Sequence, residues 1–129
     1  MSANPELGVC YYPEHWPEEL WVSDAQNMIK NGIKWVRIAE FAWSRIEPDL
    51  GIFDWNWLDK IVDILGNSGL KIVMCTPTAT PPKWLVDQMP DMVALDKNGQ
   101  ARKFGSRRHY SFSHQWYQKD SQRITQAVA

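Results

Sequence analysis

The sequence lacks the features that mark several large classes of protein. It contains two cysteines, Cys10 and Cys75, which are too few for a disulfide framework or a cysteine metal cluster. Both lie within apolar runs, so we expect them to be buried free thiols. The 14 Lys and Arg residues are balanced by 15 Asp and Glu residues. This leaves no basic surplus to bind nucleic acid or an anionic membrane surface, and we expect neither partner.

Long apolar segments and cofactor motifs are also missing. The longest apolar runs, such as residues 72–75, are far shorter than the roughly 20 residues that span a bilayer. Residues 1–6 have neither the basic start nor the apolar stretch of a signal peptide. We therefore expect a cytoplasmic protein. There is no glycine-rich phosphate loop, nucleophile elbow or His-Glu-x-x-His spacing, so we expect no metal and no cofactor.

Tryptophan, in contrast, is abundant, with eight residues in a chain of 129. Such a surplus either fills a core or lines a site that stacks on flat apolar faces, such as those of sugar rings. Trp21, Trp35, Trp57 and Trp116 fall inside predicted helices or a strand, so we expect them to pack in the core. Trp84 follows a predicted strand and is a candidate for the site.

Apolar strands and amphipathic helices alternate along the chain. Strands are predicted at residues 7–12, 33–39 and 70–75, and helices at 18–31, 54–69 and 115–129, with a short helical turn at 84–86. Asp54 is the expected N-cap of the second helix, and Gly32 and Gly69 are expected to end the first two. A long polar loop is predicted between residues 91 and 113. The helix-to-strand junction at residues 31–36 is nearly repeated at 68–73.

This alternation predicts an α/β fold with a parallel sheet. The strands are apolar on both alternating faces, which is typical of parallel strands covered on both sides. The repeated junction is what successive β/α units produce. A (β/α)8 barrel needs about 250 residues. We therefore expect residues 1–129 to be the N-terminal part of one such catalytic domain, with its first three or so units.

Candidate site residues follow the strands, because a parallel barrel builds its site at the carboxyl ends of its strands. Tyr12 follows the first strand, Arg37 and Glu40 the second, and Trp84 the third. Arg37 lies in an apolar strand, so its guanidinium should meet a carboxylate or a substrate anion. A purely structural ion pair with Glu40 or Glu14 is the alternative.

Two further groupings could bear chemistry. Glu14 and Glu40 could be the paired carboxylates of a glycosidase, roughly 5 to 10 Å apart, although their spacing in sequence does not decide this. Arg107, Arg108 and His109 form the densest polar cluster. They are either part of a site or a solvated basic patch.

Four motifs together carry a resemblance to a known family. They are GVCYYPEHWPE at residues 8–18, VRIAEFAWS at 36–44 followed by Glu47-Pro48, TPTATPPKWL at 76–85 and FGSRRHY at 104–110. In this order they closely resemble the start of the glycoside hydrolase family 42 β-galactosidases. The resemblance implies a (β/α)8 TIM barrel with further domains, and a retaining hydrolase of terminal β-D-galactosyl groups.

The resemblance also implies roles for individual residues. Arg107 matches a galactose-contacting arginine, and Arg37 matches an arginine beside the nucleophile. Tyr12, Glu40 and Trp84 are expected to contribute to substrate binding. The acid/base and nucleophile glutamates of the family belong to later strands, beyond residue 129, so Glu14 and Glu40 are not expected to replace them.

Three further expectations concern metal, activity and assembly. Some family members have a zinc-binding cysteine directly after the His-Tyr pair, where this chain has Ser111, so no metal ligand is expected there. The chain by itself should be inactive and poorly stable. Family members are often trimers, which makes a homo-oligomer an expectation for the whole enzyme. The alternatives are a non-catalytic carbohydrate-binding α/β module and a nonfunctional truncated product.

Overall fold

Three strands and five helices make up the regular structure of the residues that the structure describes. The computed structural model describes residues 4–129. In chain order the elements are β1 (Leu7–Cys10), α1 (Glu18–Lys30), β2 (Ile33–Ile38), α2 (Trp43–Ile46), α3 (Asn56–Asn67), β3 (Lys71–Met74), α4 (Lys83–Gln88) and α5 (Gln115–Val128), with short 3₁₀ turns at Pro13–His15 and Pro90–Met92. They fall into two units, one of Met1–Ala39 with Asp54–Cys75 and one of Glu40–Phe53 with Thr76–Ala129.

The first unit is a parallel sheet with helices on one face. Its strand order is β1-β2-β3, and the register pairs Cys10 with Arg37 and Arg37 with Val73. Val36 and Ile38 are fully buried, and so are Ala25 of α1 and Ile61 of α3. The core of this unit therefore lies between the sheet and the two helices, which confirms the predicted α/β fold with parallel strands.

The other face of the sheet is open within this unit. Trp35 is 38% exposed and Val73 is also exposed, because alternate strand residues point away from the helices. The Trp35 indole N–H donates to Glu6 at 2.6 Å, and Lys71 Nζ lies 4.9 Å from its ring centroid. The prediction that Trp35 packs in the core is thus wrong here. The helices of this unit cover one side of the sheet, and cover on the second side stays a prediction.

Glycines end the two helices that precede strands. Gly32 and Gly69 have φ values of +80° and +89°, a left-handed conformation that glycine adopts without the cost of a Cβ clash. The predicted repeat of helix, glycine and strand is confirmed. Asp54, however, is not the cap of α3. The cap position is Trp55, and its side chain makes no capping hydrogen bond.

The strands are shorter than predicted at their carboxyl ends. A 3₁₀ turn begins at Pro13, so β1 ends at Cys10. Ala39 has a φ of +69°, which breaks the extended conformation after Ile38. Each bend adjoins a candidate site residue, Tyr12 at the first and Glu40 at the second.

The second unit contains the helices α2, α4 and α5. Trp43, Ile46, Leu85, Met92 and Ile124 are buried in it. The predicted loop at residues 91–113 holds two isolated antiparallel bridges, Val93 with Tyr110 and Leu95 with Ala101. A two-residue bridge leaves too little alternation in the sequence to be foreseen.

Of the three remaining tryptophan predictions, two are confirmed and one is wrong. Trp21 and Trp57 are buried as expected, whereas Trp116 on α5 is 43% exposed. Lys119 Nζ lies 4.8 Å from the ring centroid of Trp116. None of the helices that the structure describes is long and apolar enough to cross a membrane.

Candidate functional site

The segment after β1 is held by buried aromatic side chains. Tyr11 donates its hydroxyl to Asp24 of α1 at 2.8 Å, and burial together with this carboxylate raises the pKa of Tyr11 well above its ordinary value. The Trp21 indole donates to the carbonyl of Pro13 at 3.1 Å. Tyr12, the predicted site residue, is half-buried, with its ring centroid 5.8 Å from that of His15. The residues on both sides of Tyr12 are therefore fixed by these hydrogen bonds.

Arg37 lies on the open face of the sheet between two thiols. Its Nε donates to Cys75 Sγ at 2.9 Å, and its Nη1 points to Cys10 Sγ at 3.7 Å. Cys10 is exposed and Cys75 is half-buried, so the expectation that both are buried is wrong. The reason is that Cys10 and Arg37 are register partners and share the uncovered face. The sequence analysis did not predict these contacts, although the pairing of Cys10 with Arg37 in adjacent strands would have indicated the first of them.

In the second unit, Trp84 is held through its indole nitrogen. It lies in α4, is half-buried, and donates to the carbonyl oxygen of Glu47 at 3.0 Å. Glu40 is also half-buried and belongs to the same unit. Of the five predicted substrate-binding residues, Glu40, Trp84 and Arg107 are in this unit and the other two are in the first.

Glu47, which precedes Pro48 in the second motif, is a fully buried carboxylate that its sequence context does not single out. Arg123 donates to both of its oxygens, at 2.7 and 2.9 Å, the Trp43 indole donates at 3.0 Å, and the Gly51 amide at 2.8 Å. Arg123 also donates its Nε to Asp120 at 2.9 Å. Such a buried charge is tolerated only when it is paired and hydrogen-bonded.

The ionisation of this pair follows from the same contacts. Burial alone would raise the pKa of Glu47, but the hydrogen bonds from Arg123, Gly51 and Trp43 outweigh it and hold the pKa below its ordinary value. The hydrogen bonds to Glu47 raise the pKa of Arg123 in turn, against the effect of burial. Both groups are therefore charged at neutral pH.

The arginine cluster lies on a turn with a strained residue. Arg107 and Arg108 are exposed, and Arg108 has a φ of +56°, which is uncommon for a residue other than glycine. Arg102 Nη1 donates to the carbonyls of Arg107 and Arg108 at 3.2 and 3.4 Å. The backbone of this turn is therefore fixed while the Arg107 side chain reaches solvent.

Beneath the arginines lies an aromatic cluster. His109 is 3% exposed, and its Nδ1 is 3.1 Å from the carbonyl of Ser106. The rings of Tyr110 and Tyr117 stack with centroids 4.5 Å apart. Burial, followed by the neighbouring Tyr117, raises the pKa of Tyr110 to about 12. Tyr117 donates its hydroxyl to the carbonyl of Thr78 at 2.9 Å, so this cluster supports the segment that follows β3.

No metal centre emerges from the part of the chain that the structure describes. Among residues 4–129, no group of three or more His, Cys, Asp or Glu side chains is placed to hold a metal ion. The first unit instead consists of parallel strands that alternate with helices. Parallel β/α units of this kind define an α/β type of protein, from which (β/α)8 barrels are built.

Comparison with known proteins specifies the family. The family model described as beta-galactosidase, of glycoside hydrolase family 42, matches residues 10–129, and the chain belongs to this family. It is 52% identical over 123 residues to a beta-galactosidase of Thermus thermophilus, and this match covers 95% of this chain and 19% of that protein.

Solved structures agree with this assignment. The beta-galactosidase of the psychrophilic Marinomonas ef1 superposes with a TM-score of 0.92 at 54% identity, and that of the Antarctic haloarchaeon Halorubrum lacusprofundi with 0.91 at 48% identity. Each match covers 96% of this chain and 19% of the solved chain. The chain thus spans about a fifth of the length of its relatives. Its three β/α units belong to the N-terminal part of their (β/α)8 barrel, and the sheet is not closed.

Proposed function

We propose that the protein carrying this chain is a retaining β-galactosidase that removes terminal, non-reducing β-D-galactose residues from β-D-galactosides. The observation that supports this most strongly is the family match over residues 10–129, together with relatives near 50% identity that are themselves beta-galactosidases. The fold agrees, because parallel β/α units are the frame on which such sites are built.

In this proposal residues 1–129 form part of the catalytic barrel and contribute sugar contacts. Retaining hydrolysis needs one carboxyl group as acid/base and a second as nucleophile. We assign these roles to glutamates outside this segment, because no family motif places them on Glu14 or Glu40. The chain on its own would then bind sugar weakly and would not cleave it.

Each proposed contact has a distinct chemistry. Arg107 is exposed on a fixed backbone turn, so its planar fork can donate paired hydrogen bonds to sugar hydroxyls. The half-buried Trp84 offers an aromatic face to the C–H face of a pyranose ring. Arg37 would lie near the nucleophile, where its positive charge favours the ionised carboxylate. Tyr12 and Glu40 would add hydroxyl and carboxylate partners for the sugar.

The galactoside substrate is the only partner that we propose. Assembly as a trimer, the absence of nucleic-acid and membrane partners, and a cytoplasmic location stay predictions from the sequence. Size-exclusion chromatography with light scattering of the complete gene product would test the trimer directly.

The experiment that tests the function compares two proteins. The product of the complete gene and the 129-residue chain are purified and assayed with an aryl β-D-galactoside, with the matching β-D-glucoside as the control substrate. We expect the complete product to release the aryl group from the galactoside and the short chain to release none. No hydrolysis by the complete product would contradict the function.

Two results would revise the role of the short chain. Turnover by the 129-residue chain that Glu14→Gln or Glu40→Gln abolishes would place catalysis within this segment. A chain that unfolds cooperatively and is stabilised by galactose, from a complete product without hydrolase activity, would instead indicate a sugar-binding module.

A further inference from the structure

The carboxylate of Glu47 and its partner Arg123 are far apart in sequence but form one paired unit. Both Arg123 nitrogens at the end of the guanidinium donate to Glu47, at 2.7 and 2.9 Å, and Glu47 is 0% exposed. Bidentate geometry of this kind fixes the relative orientation of the two side chains as well as their distance. The pair therefore ties the end of α2 to α5.

The same pair also reaches Trp84. The backbone carbonyl of Glu47 accepts the Trp84 indole N–H at 3.0 Å, and the Arg123 guanidinium carbon lies 6.0 Å from the Trp84 ring centroid. The Glu47 carbonyl thus holds the edge of the indole, and the Arg123 guanidinium lies over its ring. A distance of 6.0 Å is at the outer limit of a cation–π contact, so the attraction between the guanidinium and the ring is weak.

Stability alone does not account for this arrangement. A buried ion pair is often no more stabilising than a well-packed apolar pair of the same volume, since removing both charges from water is costly. What the charged pair supplies is a single geometry, and the side chain that it orients, Trp84, is half-buried rather than enclosed. An oriented and partly open indole is useful for stacking against a flat ligand.

We propose that Glu47 and Arg123 are positioning residues that hold the Trp84 ring in the orientation needed to stack on the sugar. This inference rests on the proposed function, in which Trp84 contacts the galactoside. Neither residue touches substrate in this proposal. Both act through the hydrogen bond and the ring contact that they make with Trp84.

A double-mutant cycle in the complete gene product tests the proposal. Arg123→Lys keeps the charge but loses the planar fork, and Trp84→Phe keeps a ring but loses the indole N–H. We expect each single change to raise KM for an aryl galactoside by about tenfold with little change in kcat, as loss of uniform binding does. The double variant should be no worse than Trp84→Phe alone, because the ring that Arg123 orients is then already free. Effects on KM that multiply would overturn the proposal.

A second measurement does not depend on turnover. With 5-fluorotryptophan incorporated, the Trp84 fluorine resonance is identified by its loss in Trp84→Phe. We expect this resonance to shift and broaden in Arg123→Lys and to stay unchanged in Lys119→Arg, an exposed basic residue on the same helix. An unchanged Trp84 resonance in Arg123→Lys would show that Arg123 has no positioning role. If the wild type lacks galactosidase activity, the proposed function fails, and this resonance still decides the positioning role.

Discussion

The two neighbouring arginines of the 104–110 motif offer a matched comparison at a single position. Arg107 and Arg108 are both exposed, and the carbonyls of both accept from Arg102. We predict that Arg107→Lys raises KM for an aryl galactoside by roughly tenfold or more, because an ammonium cannot make the paired contact of a guanidinium. Arg108→Lys should change KM by less than about twofold, as exposed substitutions away from a site do.

Steady-state kinetics of the two variants check this prediction. The complete gene product is the material, and circular dichroism confirms that both variants remain folded. Little change in either variant would indicate a solvated basic patch, because lysine keeps the positive charge of arginine. A loss confined to Arg108→Lys would assign the sugar contact to Arg108 instead.

The buried carboxylate of Glu47 gives a prediction about pH. Its pKa is lowered in the fold, chiefly by Arg123 against the opposing effect of burial, so its stabilisation is present above the unfolded pKa, near 4.5. It is lost as the pH falls through the lower folded pKa. At pH 7, Glu47→Gln should speed hydrogen exchange of the Gly51 amide about 10- to 100-fold, since bonds to charged groups contribute about 1.5–3 kcal/mol.

The pH dependence of this exchange rate distinguishes the effect of the Glu47 charge from the effect of its side-chain shape. Below pH 4.5 the difference between wild type and Glu47→Gln should narrow, because protonated glutamic acid and glutamine are both neutral. Mass spectrometry of a peptide covering residues 43–53 measures this at each pH. Asp87→Asn, an exposed carboxylate paired with Lys83, is the control and should have little effect. A difference that stays constant down to the lowest pH would contradict the assigned ionisation.

For single residues, the sequence identifies candidate site residues but not the groups that they contact. The sequence marks Arg37 as a charged residue in an apolar strand, but its sulfur contacts come from Cys10 of β1 and from Cys75, which follows β3. Glu47 and Arg123 are 76 residues apart, and no periodicity links positions at that distance. Their pairing depends on packing, which only the folded chain defines.

Between elements, the contact of β1 with β2 at Gly8 is the tightest that the glycines show. A Cβ on Gly8 would lie 3.1 Å from the Cβ of Trp35 and 3.3 Å from its carbonyl oxygen. We therefore predict that Gly8→Ala destabilises the strand pair by about 1–3 kcal/mol, the usual cost of overpacking. Gly66 in α3 has open space around it, so Gly66→Ala should instead stabilise by about 0.5–1 kcal/mol.

Hydrogen exchange resolved by peptide measures both changes in the complete gene product. Peptides covering residues 7–12 and 56–67 report on β1 and α3. The prediction requires opposite signs for the two alanines. Slower exchange of β1 in Gly8→Ala would mean that the strands adjust without cost and that the close approach is not a constraint.

The elements themselves were predicted unevenly for physical reasons. Helices α1, α3 and α5 have a long apolar stripe, and α1 and α3 end at a glycine that needs a positive φ, so the pattern and the stop signal agreed. Helix α2 spans only Trp43–Ile46, which is about one turn and carries no readable period. The isolated bridges within residues 91–113 also leave no pattern in the sequence, because a single residue pair has no period.

At the scale of the whole molecule, the open face of the sheet determines how fast the Cys10 thiol can be labelled. Cys10 is exposed on that face beside Arg37, and in a closed barrel the same face lies inside. We predict that a maleimide labels Cys10 rapidly in the 129-residue chain and at least about tenfold more slowly in the complete gene product, since labelling requires access.

Single-cysteine variants make the assignment unambiguous. Cys75→Ala leaves Cys10 as the only thiol of the 129-residue chain, and Cys10→Ala reports on Cys75. Label at Cys10 is quantified by peptide mass spectrometry in both proteins. Equal rates in the two proteins would show that the rest of the complete protein leaves this face uncovered, which contradicts a closed barrel.

The parallel pairing of the strands also orders events during synthesis. Each strand pairs with the next only after its intervening helix has been made, so β1, β2 and β3 can join in succession as they leave the ribosome. From that moment Trp35 and Val73 face water on a sheet whose outer strands still have unpaired backbone groups. A nascent chain at this stage therefore exposes apolar side chains and unpaired strand edges, both of which favour contacts with other chains, and slower synthesis would lengthen that exposure.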